Sequence, residues 1–181
     1  MPELPASYVV VGPPAAGKST VARLLAGSAD RGVHVPVDDL RTMVVSGLVL
    51  PNPDWSPALV GQVTAARRVA LAALAFYRTD GFRVVIDDFV DPPGLREYDG
   101  AISGGLATGV VLRPDPEVAV ARARHRETTP EGAAYITEGV RLVFSVLDDL
   151  LPRLTSIGWQ VVDNTDLDPE QTAAAIQALS Q

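Results

Sequence analysis

The chain has 181 residues, of which 47% are hydrophobic, and a formal net charge of −7. This length and composition predict one folded domain over 1–181, and the negative charge disfavours a nucleic acid or an anionic membrane as the partner. Cysteine is absent, which excludes disulfides, thiolate catalysis and cysteine-based zinc sites. We identify no signal peptide and no apolar stretch long enough to span a membrane, so we expect a cytoplasmic location.

Short apolar runs alternate with helical patterns along the chain. The predicted strands cover 7–12, 32–39, 82–88, 107–114 and 158–165. The predicted helices cover 17–29, 55–81, 115–127, 134–154 and 168–180. The longest of them has Ser56 in position for an N-cap, Pro57 in its first turn and Gly81 at its end. Strands separated by helices predict a three-layer α/β fold with a parallel sheet, and the continuous apolarity of the strands indicates that both faces are covered.

The segment between the first predicted strand and the first helix contains a phosphate-binding motif. Residues 12–19 read Gly-Pro-Pro-Ala-Ala-Gly-Lys-Ser and match G-x-x-x-x-G-K-[ST]. Backbone N–H groups of such a loop surround a phosphate chain. Lys18, the only lysine among the 15 Lys and Arg residues, would reach the β- and γ-phosphates, and the Ser19 hydroxyl would bind Mg²⁺. The predicted nucleotide-binding residues of this segment are Gly12, Ala15, Ala16, Gly17, Lys18, Ser19 and Thr20.

Two Asp-Asp pairs follow predicted strands. Asp38 and Asp39 come at the end of the second strand, and Asp87 and Asp88 at the end of the third. Ligands of open α/β sheets bind at the carboxyl ends of strands, so we expect one carboxylate of each pair in the site. We predict Asp87 as a Mg²⁺ ligand and Asp38 as the base that accepts a substrate hydroxyl proton. Asp88 is a candidate for substrate binding, with a helix cap or a solvent-facing position as the alternative for Asp88 and Asp39. Asp39 also remains an alternative to Asp38 as the base.

The segment 40–80 offers two more candidates for substrate binding. Arg41 lies three residues after Asp38, about one turn away if this stretch is helical, and a surface arginine is the alternative. Trp55 is a candidate floor for the same pocket, with a packing role as the alternative. The rest of the segment is mostly Ala, Val and Leu, so the acceptor is not identified.

An arginine-rich segment, 120–136, is a candidate lid over the nucleotide. On a helix, Arg122 and Arg126 share a face while Arg124 points elsewhere. We predict that Arg122 and Arg126 stabilise the negative charge of a transferring phosphoryl group, with an ion pair to a neighbouring glutamate as the alternative.

The polar loop after the last predicted strand lies at the same edge of the sheet. Asn164 and Thr165 are candidate nucleotide contacts there, with a turn, followed by Asp168 as a helix cap, as the alternative. The two histidines are expected outside the chemistry, His34 packed on its strand and His125 exposed.

The order of these features resembles the P-loop small-molecule kinases related to chloramphenicol phosphotransferase, gluconate kinase and shikimate kinase, over nearly the whole chain. The resemblance implies a P-loop NTPase fold with a five-stranded parallel sheet of order 2-3-1-4-5 and a helical lid. It implies ATP and Mg²⁺ as cofactors, phosphorylation of a hydroxyl, and an acceptor-binding or acceptor-activating role for Asp38. The stretch "DDLR" is also similar to polynucleotide 5′-kinases, in which the Asp is the base and the Arg holds a substrate phosphate.

Three functions are therefore open from the sequence. The first is an ATP-dependent kinase of a small hydroxylated metabolite or antibiotic. The second is a polynucleotide, nucleoside or nucleotide kinase that uses Arg41 on an acceptor phosphate, which the negative net charge disfavours for a polynucleotide. The third is an ATP-binding regulatory module with weak or no kinase activity, which would have no need of a carboxylate on the acceptor side.

Overall fold

The computed structural model describes residues 4–51, 54–126 and 129–180, with the side chains of 126 and 130–136 left out. Five parallel strands form one sheet in the order β2-β3-β1-β4-β5, which confirms the order that the resemblance implies. The strands are β1 (Tyr8–Val11), β2 (Gly32–Pro36), β3 (Arg83–Asp87), β4 (Thr108–Leu112) and β5 (Gln160–Val162).

Helices connect the strands and cover the sheet. They are α1 (Lys18–Gly27), α2 (Val37–Thr42), α3 (Pro57–Thr79), α4 (Asp99–Ser103), α5 (Pro116–Arg126), α6 (Pro130–Ser156) and α7 (Pro169–Ala178), with a short 3₁₀ helix at Arg96–Tyr98 before α4. Two apolar clusters form because successive side chains of a strand point to opposite faces. On β1, Val9 and Val11 pack on the face covered by α3 and α6, while Tyr8 and Val10 pack on the face covered by α1 and α7.

The second strand is shorter than the sequence predicts. It ends at Pro36, whose ring removes the N–H that a continuing strand would donate, and α2 begins at the next residue. Asp38 and Asp39 therefore lie in the first turn of a helix, where negative charge is favoured by the helix dipole. Both remain at the carboxyl edge of the sheet, on a helix instead of a strand end.

The long helix α3 begins as predicted. The Ser56 hydroxyl accepts a hydrogen bond from the Leu59 N–H, and Pro57 occupies the first turn. By length and hydropathy alone, α3 could also span a membrane, which corrects the expectation that no stretch of the chain could. In the structure it lies against the sheet, with Ala66, Ala70 and Leu74 buried in that contact. It is a core helix of this fold.

Candidate active site

Two glycines shape the phosphate-binding loop between β1 and α1. A Cβ atom on Gly12 would lie 2.5 Å from the Leu112 carbonyl oxygen, so only glycine lets the loop pass this close to β4. Gly17 has φ 91° and serves as the N-cap of α1, a conformation that favours glycine. Lys18 begins α1, and its Nζ donates to the Pro13 carbonyl oxygen at 3.0 Å. The Lys18 amine therefore lies across the loop, at the place where the loop would surround a phosphate chain.

Three pockets adjoin this loop, and we name them by what they would hold. The nucleotide-side pocket, of about 260 Å³, lies between the loop, α5 and the start of α7. The metal-side pocket, of about 280 Å³, lies between α1 and the ends of β2 and β3. The acceptor-side pocket, of about 320 Å³, lies between the loop, α2, α3 and α6. Lys18 and Asp38 line both of the last two pockets, so these pockets meet at the two side chains.

The nucleotide-side pocket brings together most of the residues predicted to bind nucleotide. Its lining includes Ala15, Ala16, Gly17, Thr20, Arg122 and Asn164. Asn164 is buried, and its Nδ2 donates to the Ala16 carbonyl oxygen at 2.9 Å, while its Oδ1 is buried with no hydrogen-bond partner in the part of the chain that the structure describes. The Asn164 side chain thus ties the polar loop after β5 to the phosphate-binding loop. Its unpartnered acceptor beside the pocket is suited to a donor on a ligand.

Arg122 and Thr165 complete the wall on this side. The Arg122 guanidinium donates to the carbonyl oxygens of Asn164 and Thr165, at 3.2 and 3.0 Å, which holds α5 against the polar loop. The Thr165 hydroxyl accepts from the Asp115 N–H and donates to the Asp163 carboxylate. This hydrogen bond lowers the pKa of the Asp163 carboxyl. The side chain of Thr165 therefore belongs to the turn that the sequence offered as the alternative to a nucleotide contact. Its two hydrogen bonds connect the polar loop to the start of α5.

The start of α7 adds a cap to the same pocket. Asp168 and Gln171 form a capping box, in which each side chain accepts from the other residue's backbone N–H. The predicted role of Asp168 as a helix cap is confirmed by these contacts.

The metal-side pocket gathers oxygen donors. The Ser19 hydroxyl is exposed, the Asp87 carboxylate is buried at the end of β3, and both line this pocket with Asp38 and Asp39. Hydroxyl and carboxylate oxygens suit Mg²⁺, which usually binds proteins through one or two such groups and takes its other ligands from water and phosphate. Among the described residues no group of three or more His, Asp and Glu side chains could hold a metal ion. The donor set therefore fits Mg²⁺.

His34 is more than the packed strand histidine that the sequence predicts. Its Nε2 lies 3.4 Å from the Asp87 Oδ2, across neighbouring strands β2 and β3, and both side chains line the metal-side pocket. His34 thus touches the predicted metal ligand and fixes the direction of its carboxylate. Sequence spacing gave no signal for this contact, because the two residues are 53 positions apart.

The polar end of the acceptor-side pocket is formed by α2. The Asp38 carboxylate is 70% exposed and lies 3.4 Å from the Arg41 guanidinium. Arg41 is buried, which excludes the surface arginine, and it also donates to the Val49 carbonyl oxygen at 3.3 Å. The Arg41 guanidinium lies 5.6 Å from the centre of the Phe89 ring, within cation–π range. The Asp38 carboxylate is therefore exposed toward the pocket, and the buried Arg41 guanidinium contacts it from the protein side.

The remaining wall of this pocket is apolar. Trp55 lines it, with its ring 6.2 Å from Phe89, and its backbone has the left-handed φ of 45°. Both candidates from the segment 40–80, Arg41 and Trp55, are thus brought to one pocket with Asp38. The apolar lining residues are Pro51, Trp55, Leu59, Val63, Phe89, Val90 and Val143.

Asp88 is buried and hydrogen-bonded within the protein at the edge of the metal-side pocket. Its carboxylate accepts from Arg67 Nε at 2.7 Å, from the Tyr98 hydroxyl at 2.9 Å and from the Phe89 N–H at 2.7 Å. These contacts occupy both carboxylate oxygens. The group is thus held within the protein while it also borders the metal-side pocket, so neither a helix cap nor a solvent-facing position describes it, and its substrate-binding role stays a prediction.

Arg67 is the centre of this buried cluster. Besides Asp88, its guanidinium contacts Asp91 at 2.8 Å and Glu97 at 3.3 Å. Burial acts to lower the pKa of Arg67, but the nearby charges of Asp88 and Asp91 raise it above its ordinary value, so the guanidinium stays charged. Burial and the Asp88 charge raise the pKa of the Tyr98 hydroxyl, which keeps it a donor. We call these residues the Arg67 cluster: Arg67, Asp88, Asp91, Glu97 and Tyr98.

The Arg67 cluster touches the acceptor-side pocket through Phe89. The Arg67 guanidinium lies 5.5 Å from the same ring that Arg41 approaches. Sequence reasoning missed Arg67, although a charged residue amid the apolar stretch of α3 was a signal that a buried partner exists.

The arginine-rich segment is described only in part. Arg122 is half-buried at the nucleotide-side pocket, while Arg124 and His125 are exposed. The side chain of Arg126, the other predicted phosphate contact, lies outside the described residues. So does much of the predicted lid. Glu117, an alternative partner for these arginines, instead contacts Arg141 at 3.3 Å.

The chain matches the profile of a known family, the AAA domain AAA_33, over residues 8–151. The chain belongs to this family. No curated protein matches it. This membership agrees with the sequence motif, because the matched range spans the phosphate-binding loop, both Asp-Asp pairs and the arginine-rich segment.

Solved structures of similar fold are small-molecule kinases and a resistance protein. A shikimate kinase from Bacteroides thetaiotaomicron has a TM-score of 0.66 at 15% identity, with 97% of this chain and 96% of that chain covered. The tunicamycin resistance protein of Deinococcus radiodurans has a TM-score of 0.62 at 14% identity, covering 97% and 96%. A sugar kinase from a Janibacter species has a TM-score of 0.54 at 19% identity, covering 96% and 94%. These likenesses show the fold, and they confirm the predicted P-loop kinase fold with its five-stranded parallel sheet.

Proposed function

We propose that this protein transfers the γ-phosphoryl group of ATP to a hydroxyl of a small molecule. The observation that carries the proposal is the meeting of two pockets at Lys18 and Asp38, one with oxygen donors for Mg²⁺ and one of suitable size for an acceptor. Phosphoryl transfer needs the attacking oxygen, the γ-phosphate and the metal at one point. A third pocket on the other side of the loop supplies room for the base of the nucleotide.

ATP would lie along the loop, with its base toward the nucleotide-side pocket. Backbone N–H groups of the loop and of the first turn of α1 would bind its phosphates. Lys18 would leave the Pro13 carbonyl and bind the β- and γ-phosphates. Ser19 and Asp87 would hold Mg²⁺, which when bound neutralises phosphate charge.

Asp38 would act as the base toward the acceptor. Its carboxylate would accept the hydroxyl proton while the acceptor oxygen forms a bond to the γ-phosphorus and the bond to the β-phosphate oxygen breaks, leaving ADP. Arg41 would hold that carboxylate in place through their 3.4 Å contact. Asp38 lines both pockets, whereas Asp39 lines only the metal-side pocket, and this supports Asp38 as the base.

Two arginines would act on the nucleotide. Arg122 would keep its carbonyl contacts and line the base pocket, and Arg126 would supply positive charge to the transferring group, as its family resemblance implies. Asn164 would accept a hydrogen bond from the nucleotide through its buried Oδ1.

Replacing the single lysine tests the proposal. We expect Lys18→Ala to lower ATP turnover with an acceptor by about 10² or more, because a charge that stabilises the transition state is lost. Lys18→Arg should fail to restore it, since a planar guanidinium differs in shape and hydration from the ammonium. ADP formation is the readout, and the thermal unfolding midpoint checks that each variant is folded. Full turnover by folded Lys18→Ala would refute the phosphate-binding role.

A further inference from the structure

The acceptor-side pocket is polar at one end only, and this distribution indicates what it binds. We infer that the acceptor is an uncharged small molecule with a largely apolar, ring-sized body and one hydroxyl, or a pair of closely spaced hydroxyls, at one end. The inference rests on the proposed function and goes beyond it by assigning the chemical class of the acceptor.

The apolar walls come from three separate parts of the fold. Leu59 and Val63 reach the pocket from α3, Val90 from the segment after β3, and Val143 from α6. Leu59, Val63 and Val90 are at most 4% exposed, so they are packed within the protein and form a fixed wall of the pocket. A ligand body that covers this wall removes apolar surface from water on both sides, which favours hydrocarbon over polar groups.

Aromatic rings form the rest of the wall. Trp55 and Phe89 lie 6.2 Å apart and are inclined by 35°, so a flat body can contact both. Trp55 holds the left-handed φ of 45°, which is rare for a bulky residue and persists only where surrounding contacts fix it. The residue with this rare conformation is thus an aromatic one that lines the pocket.

The polar end can serve one hydroxyl position but little more. Among the described lining residues the charged groups are Lys18, Asp38 and Arg41. Lys18 is needed by the phosphates, and Arg41 donates to Asp38 and to the Val49 carbonyl oxygen, while its Nε is buried without a hydrogen-bond partner among the described residues. A polyol would bring further hydroxyls against the apolar wall without partners, and each would lose its hydrogen bonds to water.

The same arrangement disfavours an anionic acceptor. A phosphate or carboxylate in the pocket would lie near the Asp38 carboxylate and would have to share Arg41 with it. A phosphorylated acceptor, as in a nucleotide kinase, needs cations of its own in the pocket. The size of the pocket, about 320 Å³, suits a single ring with a short chain.

A matched pair of acceptors tests this directly. The probes are 2-phenylpropane-1,3-diol and glycerol, which share the two terminal hydroxyls but carry a phenyl ring and a third hydroxyl, respectively, on the central carbon. With ATP and Mg²⁺, we expect the phenyl diol to be phosphorylated with a kcat/KM at least about tenfold above that of glycerol, because the ring is buried against the wall. Phosphorylated product is measured by mass spectrometry. Shikimate, gluconate and a 5′-hydroxyl oligonucleotide complete the panel.

Variants on α6 show whether this wall carries the preference. Val143→Asn places an amide on the wall and should lower the advantage of the phenyl diol by about fivefold or more, with little change in the KM for ATP. The control is Leu142→Asn, since Leu142 is the preceding residue but is 56% exposed. This control should keep the wild-type preference. Val143 is itself only half-buried, so both variants should fold.

The outcomes separate the inference from the proposed function. Faster transfer to glycerol, to a polyhydroxy acid or to the oligonucleotide would overturn the apolar acceptor and leave the kinase standing. If no acceptor is phosphorylated, binding of the phenyl diol is measured by calorimetry with a non-hydrolysable ATP analogue present. Binding that Val143→Asn weakens supports the pocket assignment while the kinase fails. Absence of binding overturns the inference.

Discussion

The two Asp-Asp pairs look alike in the sequence and differ in the structure. Asp38 and Asp39 are exposed in the first turn of the short helix α2. Asp87 and Asp88 are buried at the end of β3, which lies between β2 and β1. Adjacent side chains of a strand point to opposite faces, so Asp87 turns toward His34 and the metal-side pocket while Asp88 turns toward Arg67 under α3.

This difference separates two uses of a carboxylate. Asp88 is buried and accepts from three donors within the protein, so it stabilises the fold as part of the Arg67 cluster. Asp38 has one cation at 3.4 Å and an open side, so it can exchange a proton with a ligand. Burial and hydrogen bonding hold the Asp88 carboxylate in place within the protein, whereas exposure leaves the Asp38 carboxylate accessible to a ligand. Four single replacements can test this distinction, because each is expected to change a different property of the protein: its stability, its transfer rate, its Mg²⁺ requirement or none of these.

The largest effect on stability is expected from Asp88→Asn. The amide has one acceptor oxygen where the carboxylate has two, so a donor among Arg67, Tyr98 and the Phe89 N–H would face an NH₂ group. Breaking a buried ion pair in this way should cost about 3 kcal/mol of unfolding free energy. Urea denaturation followed by circular dichroism measures it as a lower midpoint. A midpoint equal to that of the wild type would show that the Arg67 cluster is dispensable.

The next effect is expected on catalysis, from Asp38→Asn. If Asp38 is the base, its loss should lower transfer to the acceptor by about 10² while the affinity for ATP stays the same, because the carboxylate faces the acceptor. The urea midpoint should change little, since the Asp38 side chain is 70% exposed. Single-turnover transfer and ATP binding by calorimetry are the two measurements. An equal loss in both would place Asp38 with the nucleotide.

Local features were the ones that the sequence could predict. The loop motif, the Ser56 cap and the alternation of strands and helices depend on neighbours within a few positions, and they are present in the structure. The burial of Asp88 depends on Arg67, 21 positions away, and the contact between His34 and Asp87 spans 53. Such contacts follow from how the strands are ordered and how α3 lies on the sheet. No spacing rule in one sequence gives them.

A smaller effect, on the metal requirement, is expected from Asp87→Asn. An amide keeps one oxygen ligand but removes the charge that attracts Mg²⁺, so the Mg²⁺ concentration for half-maximal rate should rise about tenfold. Because Asp87 contacts His34, the variant His34→Gln should raise it less, by changing only the direction of the carboxylate. Rates are measured over a Mg²⁺ titration at saturating ATP. An unchanged requirement in Asp87→Asn would remove Asp87 from the metal site.

The smallest effect is expected from Asp39→Asn. Asp39 follows Asp38 directly and borders the metal-side pocket, yet its side chain is exposed and water screens its charge. We expect less than about a threefold change in transfer rate and less than about 0.5 kcal/mol in stability. The same two assays as for Asp38→Asn apply, so the neighbours are compared directly. If Asp39→Asn instead lost transfer as Asp38→Asn is expected to, the base would be Asp39, and the acceptor would have to approach α2 from the metal side.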